Sequence, residues 1–575
     1  MLINLSRFDE AEAVFQQLIE KYPHQPQGYE GYARLNHSLG NWNLALERWE
    51  SAIEKFPENI GFQVSKGNVL INLSCFDEAE VVFQRLIEKY PHQPQGYEGY
   101  ARLNHSLANW NLALSRWENA LKKFPEHIGF KVQKGNILIN LSRFDEAEAV
   151  FQQLIEKSPH QPQGYEGYAR LNHSLANWNL ALSRWENALK KFPEHIGFKV
   201  QKGNILINLS RFDEAEAVFQ QLIEKSPHQP QGYEGYARLN HSLGNWNLAL
   251  SRWESAIEKF PENIGFQVSK GNVLINLSRF DEAEAVFQQL IEKSPHQPQG
   301  YEGYARLNHS LGNWNLALSR WENALKKFPE HIGFQVQKGN VLINLSRFDE
   351  AEAVFQQLIE KYPHQPQGYE GYARLNHSLG NWNLALERWE SAIEKFPENI
   401  GFQVSKGNVL INLSCFDEAE AVFQQLIEKY PHQPQGYEGY ARLNHSLANW
   451  NLALERWESA IEKFPENIGF QVSKGNVLIN LSCFDEAEAV FQQLIEKYPH
   501  QPQGYEGYAR LNHSLANWNL ALSRWENALK KFPEHIGFQV QKGNVLINLS
   551  RFDEAEAVFQ QLIEKYPHQP QGYEG

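Results

Sequence analysis

Apolar residues run along this chain in stripes of helical period. Trp42, Ala45, Leu46, Trp49, Ala52, Ile53 and Phe56 fall at spacings of 3, 4, 7, 10, 11 and 14 residues from the first, one continuous face of an α-helix. Phe76, Ala79, Phe83, Leu86, Ile87 and Tyr90 trace the same face one unit later. A helix precedes each stripe, over roughly 27–39 with Tyr29, Tyr32, Ala33 and Leu39, and over roughly 61–73 with Phe62, Gly67, Leu70 and Leu73. Asn41 and Ser74 stand where N-caps are expected, and Asp77 with Glu78 puts negative charge in a first helical turn. Pro57 and Pro91 stop the second helices, and Pro94 stands just inside the next start.

The stripes repeat. FDEAE begins at Phe8, Phe76, Phe144, Phe212, Phe280, Phe348, Phe416, Phe484 and Phe552, always 68 residues apart. Fixed self-similarity marks a repeat architecture. Each period divides into a Trp unit (Pro26–Asn59 in the first) and a Phe unit (Ile60–Gln93), 34 residues apiece. Sixteen complete units fill 26–569, with partial units at 1–25 and 570–575, so 1–575 reads as one solenoid. No stretch is left over for a catalytic domain. Met1 aligns with Val69 and Gly575 with Gly99, inside first helices, so the expectation is a fragment whose uncapped ends can self-associate.

Ala33, Ala45, Trp49 and Pro57, and Gly67, Ala79, Phe83 and Pro91, resemble the small–small–aromatic–proline pattern of the tetratricopeptide repeat family. Ala33 stands for the usual Gly, Leu86 for a small residue and Asn36 for an aromatic one. The resemblance is to solenoid segments of bacterial, cyanobacterial-type members. It implies an all-α, right-handed superhelical α-solenoid of antiparallel helix pairs, about seventeen hairpins. It also implies a concave groove lined by the first helices that binds extended peptides. The family's groove positions transfer to Gln27, Glu30, Arg34, His37 and Ser38 in the Trp unit, and to Gly61, Val64, Asn68, Ile71 and Asn72 in the Phe unit.

Asn68 and Asn72 share one helical face, and each amide both donates and accepts, so a ladder of them suits a peptide backbone of any sequence. The ladder runs through Asn136, Asn140, Asn204, Asn208, Asn272, Asn276, Asn340, Asn344, Asn408, Asn412, Asn476, Asn480, Asn544 and Asn548. A second row, Arg34, Arg102, Arg170, Arg238, Arg306, Arg374, Arg442 and Arg510, with His37 and His105, offers carboxylate recognition. The identity of these rows along the chain points to a repetitive or multivalent protein partner.

Composition narrows the function. Net charge is −14, against a nucleic-acid backbone binder, and no apolar run reaches membrane-span length. Cys75, Cys415 and Cys483 alternate with Arg at the same position (Arg7, Arg143, Arg211), so no disulfide framework or required thiol is expected, in keeping with a cytoplasmic location. The 21 histidines lack metal-ligand companions, and those replacing Asn in PENI (His127, His195, His331, His535) read as solvated. Phosphate-loop, GxSxG and HExxH motifs are absent. The expectation is a non-catalytic protein-interaction scaffold without cofactor or metal. Its alternatives are the recruiting arm of a larger glycosyltransferase- or sulfotransferase-like enzyme, and a self-assembling fibre.

Overall fold

The computed structural model describes residues 8–38, 41–106, 110–174, 178–533 and 535–565. Among them lie 33 α-helices and no strand. First helices such as Pro26–Ser38 and Ile60–Asn72 have 13 residues, and second helices such as Trp42–Lys55 and Phe76–Lys89 have 14. Within the units, helices adjacent in sequence pack as antiparallel pairs, such as Pro26–Ser38 with Trp42–Lys55 and Ile60–Asn72 with Phe76–Lys89, and successive first helices such as Ile60–Asn72 and Pro94–Ser106 also touch. This is the expected all-α solenoid.

The joints have specific chemistry. Ile60–Asn72 ends in a Schellman motif: Cys75 N–H donates to Leu70 O (2.8 Å) and Ser74 N–H to Ile71 O (3.0 Å), with Ser74 at φ +61°. Ser74 is thus the left-handed residue after one helix, and the N-cap of the next is Cys75, whose side chain makes no cap bond. That corrects the expected Ser74 cap. In the Arg copies, Arg143 at this cap position grips Glu146 with two bonds of 2.6 and 2.7 Å, so both residue types are compatible with the backbone. Asn41 does occupy its N-cap position. The PENI histidines are not simply solvated: His127 Nδ1 accepts from Phe130 N–H at 3.2 Å, as Asn59 Oδ1 does from Phe62. They cap first helices.

The described chain forms two compact units. One comprises 1–168, 291–302 and 318–399, and the other 169–290, 303–317 and 400–575. In the first unit, Tyr29, Ala33, Ala45, Trp49, Ala52 and Phe62 form one core cluster, and Leu70, Phe76, Ala79, Phe83, Leu86 and Tyr100 another. Phe83 is fully buried, and a Cβ placed on Gly67 or Gly99 would lie 2.4 or 2.1 Å from its ring. Two helices therefore close on one phenyl ring only because neither carries a side chain there. In the second unit the same layers recur around Trp457, Phe470, Phe491 and Trp525.

Within each unit, stretches far apart in sequence also meet. In the first, Phe8 meets His296 and Phe76 meets His364 edge-on, at 5.4 and 5.2 Å between ring centroids. Asn43 and Asn111 donate to Glu330 and Glu398, 287 residues ahead. In the second, Phe212 meets His500 at 5.1 Å, Asn179 donates to Glu466, and Trp178 N–H donates to the same carboxylate at 3.1 Å. Glu466 thereby caps the start of the helix Trp178–Lys191, where its charge is favoured.

Candidate functional site: rows on the first helices

Burial of Tyr29, Ala33 and Leu35 in the hairpin turns the opposite stripe of the first helix outward. Arg34 lies on that stripe with its guanidinium 66% exposed, 2.7 Å from Glu30. The pair recurs at Arg102–Glu98 (3.0 Å), Arg238–Glu234 (2.9 Å), Arg442–Glu438 (2.8 Å), Arg510–Glu506 (2.7 Å) and, more loosely, Arg374–Glu370 (3.8 Å). Arg170 and Arg306 are exposed at the same position. His37 is half-buried, edge-on to Trp42 at 4.8 Å, and burial together with the Arg34 cation holds its pKa below the ordinary imidazole value. The side chain of His105 lies outside the described residues. The carboxylate-holding pair is therefore engaged already: Arg34 has a carboxylate and His37 has an indole.

The Asn rows differ. Asn68, Asn136, Asn204, Asn272, Asn340, Asn408, Asn476 and Asn544 are all half-buried, and Asn72, Asn140, Asn208, Asn276, Asn344, Asn412, Asn480 and Asn548 are all exposed. None makes a side-chain hydrogen bond among the described residues. Other asparagines of the repeat are occupied. Asn36, buried, donates to Tyr32 O at 2.9 Å, Asn59 caps a helix and Asn43 holds Glu330. Each such pair is one turn apart on a helix face, and each amide has both a donor and an acceptor.

Sequence reasoning missed a second kind of site. In the first unit a cavity of about 480 Å³ is lined by His37, Trp42, Asn43, His296, Phe328, Glu330 and His331. The second unit has an equivalent of the same size, lined by His241, Trp246, Asn247, His500, Phe532 and His535. Burial holds the imidazole of His331 below its usual pKa against the opposing pull of Glu302. No local spacing foretells these cavities, because their walls come from stretches nearly 290 residues apart. Among the described residues no cluster of three or more His, Cys, Asp or Glu can hold a metal, and no helix is long and apolar enough to cross a membrane. The three cysteines are free thiols, half-buried.

Helical hairpins of 34 residues, stacked in register with a small residue facing an aromatic one in each, define a class of solenoid repeat protein. The tetratricopeptide repeat model matches residues 2–60, 106–162, 132–196, 169–230, 200–264, 242–298, 268–332, 373–434 and 506–570, and a second model of that description matches 309–375. The chain belongs to the tetratricopeptide repeat family.

Among curated proteins it is similar to the Protein CTR9 homolog of Arabidopsis thaliana, 22% identical over 59% of this chain and 32% of that protein. A TPR repeat-containing protein of Methanocaldococcus jannaschii is 20% identical over 73% of each. Protein O-mannosyl-transferase TMTC3 of Homo sapiens is 24% identical over 57% of this chain and 34% of that protein. The chain thus spans about a third of the CTR9 homolog and of TMTC3. Among solved structures, yeast Tom70 aligns at 17% identity and TM-score 0.38, over 76% of this chain and 96% of that one. Naa15/Naa10 bound to HypK-THB aligns at 14% and 0.30, over 99% and 93%.

Proposed function

We propose that the chain is a non-catalytic protein-interaction scaffold whose first helices hold an extended, repetitive peptide or several copies of one short motif. The observation that carries this reading is the set of unoccupied amides at Asn68, Asn72 and their equivalents, identical in exposure from period to period. A peptide backbone supplies the alternating donors and acceptors they lack. Arg34 and its copies flank the ladder and add electrostatic selection for acidic side chains, in exchange with Glu30. Identical weak sites in series gain by effective concentration. The net charge of −14 favours a protein over a nucleic acid, and free thiols fit a reducing, cytoplasmic setting. Similarity to a stretch of a mannosyl-transferase supports a second reading, in which such a solenoid is the recruiting arm of a larger enzyme.

The test replaces the Asn68 and Asn72 equivalents by Ala in one, two, four and then all eight periods, and measures binding to a partner recovered from the native host. Graded, steepening loss supports the ladder. Complete loss from one period, or none from eight, rejects it.

A further inference from the structure

Residues 41–93 and 449–501 differ only at Val81/Ala489 and Arg85/Gln493. One glutamate of this stretch nevertheless has two sets of partners. Glu58 is 72% exposed, and it accepts from Lys89 Nζ at 2.8 Å and from the Tyr90 hydroxyl at 2.6 Å. Its counterpart Glu466 accepts instead from Trp178 N–H at 3.1 Å and from the Asn179 amide. Local sequence does not decide between the two. What decides is whether a helix start such as that of Trp178–Lys191 lies opposite.

The change of partner leaves a mark. Tyr498, the counterpart of Tyr90, is only 5% exposed, and its hydroxyl has no hydrogen-bond partner among the described residues. Lys497 lies over that ring at 5.2 Å, as Lys89 lies over Tyr90 at 5.5 Å, but among the described residues it holds no carboxylate. A buried hydroxyl without a partner costs more than one ordinary hydrogen bond gains, so the turn itself opposes closure. The rest of this intrachain seam is thin. Phe212 meets His500 edge-on, Gln501 Nε2 donates to Ser210 Oγ at 3.4 Å, and the cavity lined by Trp246, His500 and His535 lies alongside. The first unit has the same parts: Glu330 takes the Asn43 amide, Lys361 lies over Tyr362 at 5.3 Å, and Tyr362 is 4% exposed.

We propose that Glu466 is a latch with two settings, by which the seam of the second unit opens and closes reversibly. Closed, it caps Trp178–Lys191 and leaves the Tyr498 hydroxyl buried alone. Open, it returns to Lys497 and Tyr498 in the arrangement that Glu58 displays with Lys89 and Tyr90, and the helix start is released. Lys497 and Tyr498 are thus the receiver for the open setting. Deleting the tyrosine hydroxyl should therefore tighten the seam. A buried hydroxyl that has a partner behaves in the opposite way, because its deletion loosens the fold.

Hydrogen exchange of the Trp178 amide, the group that Glu466 holds, reads the latch in the full chain. Nitrogen-15 labelling of the 16 tryptophans alone keeps the spectrum sparse, and Trp178→Phe identifies the signal by its loss. Tyr498→Phe should slow this exchange about three- to tenfold, and Lys497→Gln about twofold. Glu466→Ala should speed it about two- to fivefold. Tyr90→Phe, at the turn whose glutamate holds no helix start, should leave it unchanged. Circular dichroism checks helix content, and Lys497→Gln carries the test if Tyr498→Phe loses helix. Exchange that is unchanged or faster in Tyr498→Phe overturns the latch. So does equal slowing in Tyr90→Phe, which would make the effect one of repeat stability, and so does an intact chain that exchanges as fast as Glu466→Ala.

Discussion

Replacing Gly67 or Gly99 by alanine should loosen the helix that carries Phe83, although alanine is the better helix former. The intrinsic gain is about 1 kcal/mol for a helical Gly→Ala change. Against it stands geometry. The new methyl would lie 2.4 Å from the Phe83 ring at position 67 and 2.1 Å at position 99, where carbon atoms prefer about 3.5–4.0 Å. The ring cannot retreat, because it lies between the two glycines, and Leu70, Leu86 and Tyr100 pack around it. Moving off one helix drives it into the other. Overpacking of this kind costs about 1–3 kcal/mol, and more than 1 Å of overlap belongs to the upper part of that range. The net expectation is a loss of about 1–2 kcal/mol per site. Long repeat arrays need not unfold in one step, so the local readout is hydrogen exchange of Phe76–Lys89. Exchange there should quicken about five- to thirtyfold, and Phe83→Leu should restore much of the protection in the Gly67→Ala background. Unchanged or slower exchange in Gly67→Ala would refute the close-approach argument.

Ser414, at φ +61°, should accept Gly with a gain of about 0.5–1 kcal/mol, read as a higher local melting temperature, whereas Val there should destabilise. His331 caps the helix Ile332–Asn344 through Nδ1 (3.2 Å to Phe334 N–H), with its pKa lowered by burial. The unfolded chain therefore binds that proton more readily. The cap's contribution is whole above about pH 6.5 and is lost as pH falls below it. His331→Asn, the residue at the equivalent Asn263, should flatten this dependence when exchange of 332–344 is followed from about pH 7.5 to 5. Glu466→Ala should speed exchange at the start of Trp178–Lys191 by an amount worth about 0.3–1 kcal/mol, and no change there would mean the intrachain seam is not formed in solution.

Features set by neighbours in sequence were legible from the residues alone. The 68-residue period, the faces containing Trp49 and Phe83, the small residue at Gly67 and the Arg34–Glu30 pair all follow from i, i+3 and i, i+4 geometry. The joints were harder. Ser74 looks like an N-cap by residue type. The left-handed turn that closes a Schellman motif takes precedence, and the period displays Gly or Ala at the equivalent position in the other unit, with φ +68° at Gly244 and +52° at Ala448. His127 passed as a surface residue because its capping role shows only when its imidazole nitrogen is seen to stand where Asn59 places its oxygen. The contacts of Phe8 with His296 and of Asn43 with Glu330 had no signal at all. They join stretches 287 or 288 residues apart, and no short window of residues contains both partners. For the candidate site, the shared helical face of Asn68 and Asn72 and the pairing of Arg34 with Glu30 follow from spacing, but the half-burial of the Asn68 row and the contact of His37 with Trp42 do not.

The central claim is that the Asn ladder acts as many equal sites in series. Its most direct test leaves the protein intact and changes the ligand. The shortest segment of a recovered partner that binds is prepared once as a single copy and once as four tandem copies joined by flexible linkers, and both are titrated into the full chain by calorimetry. Equal sites in series predict that the tandem peptide binds about 10² to 10⁴ times more tightly than the single copy, and that the single copy saturates at several molecules per chain. Equal affinity for the two, with one molecule bound per chain, would contradict the account.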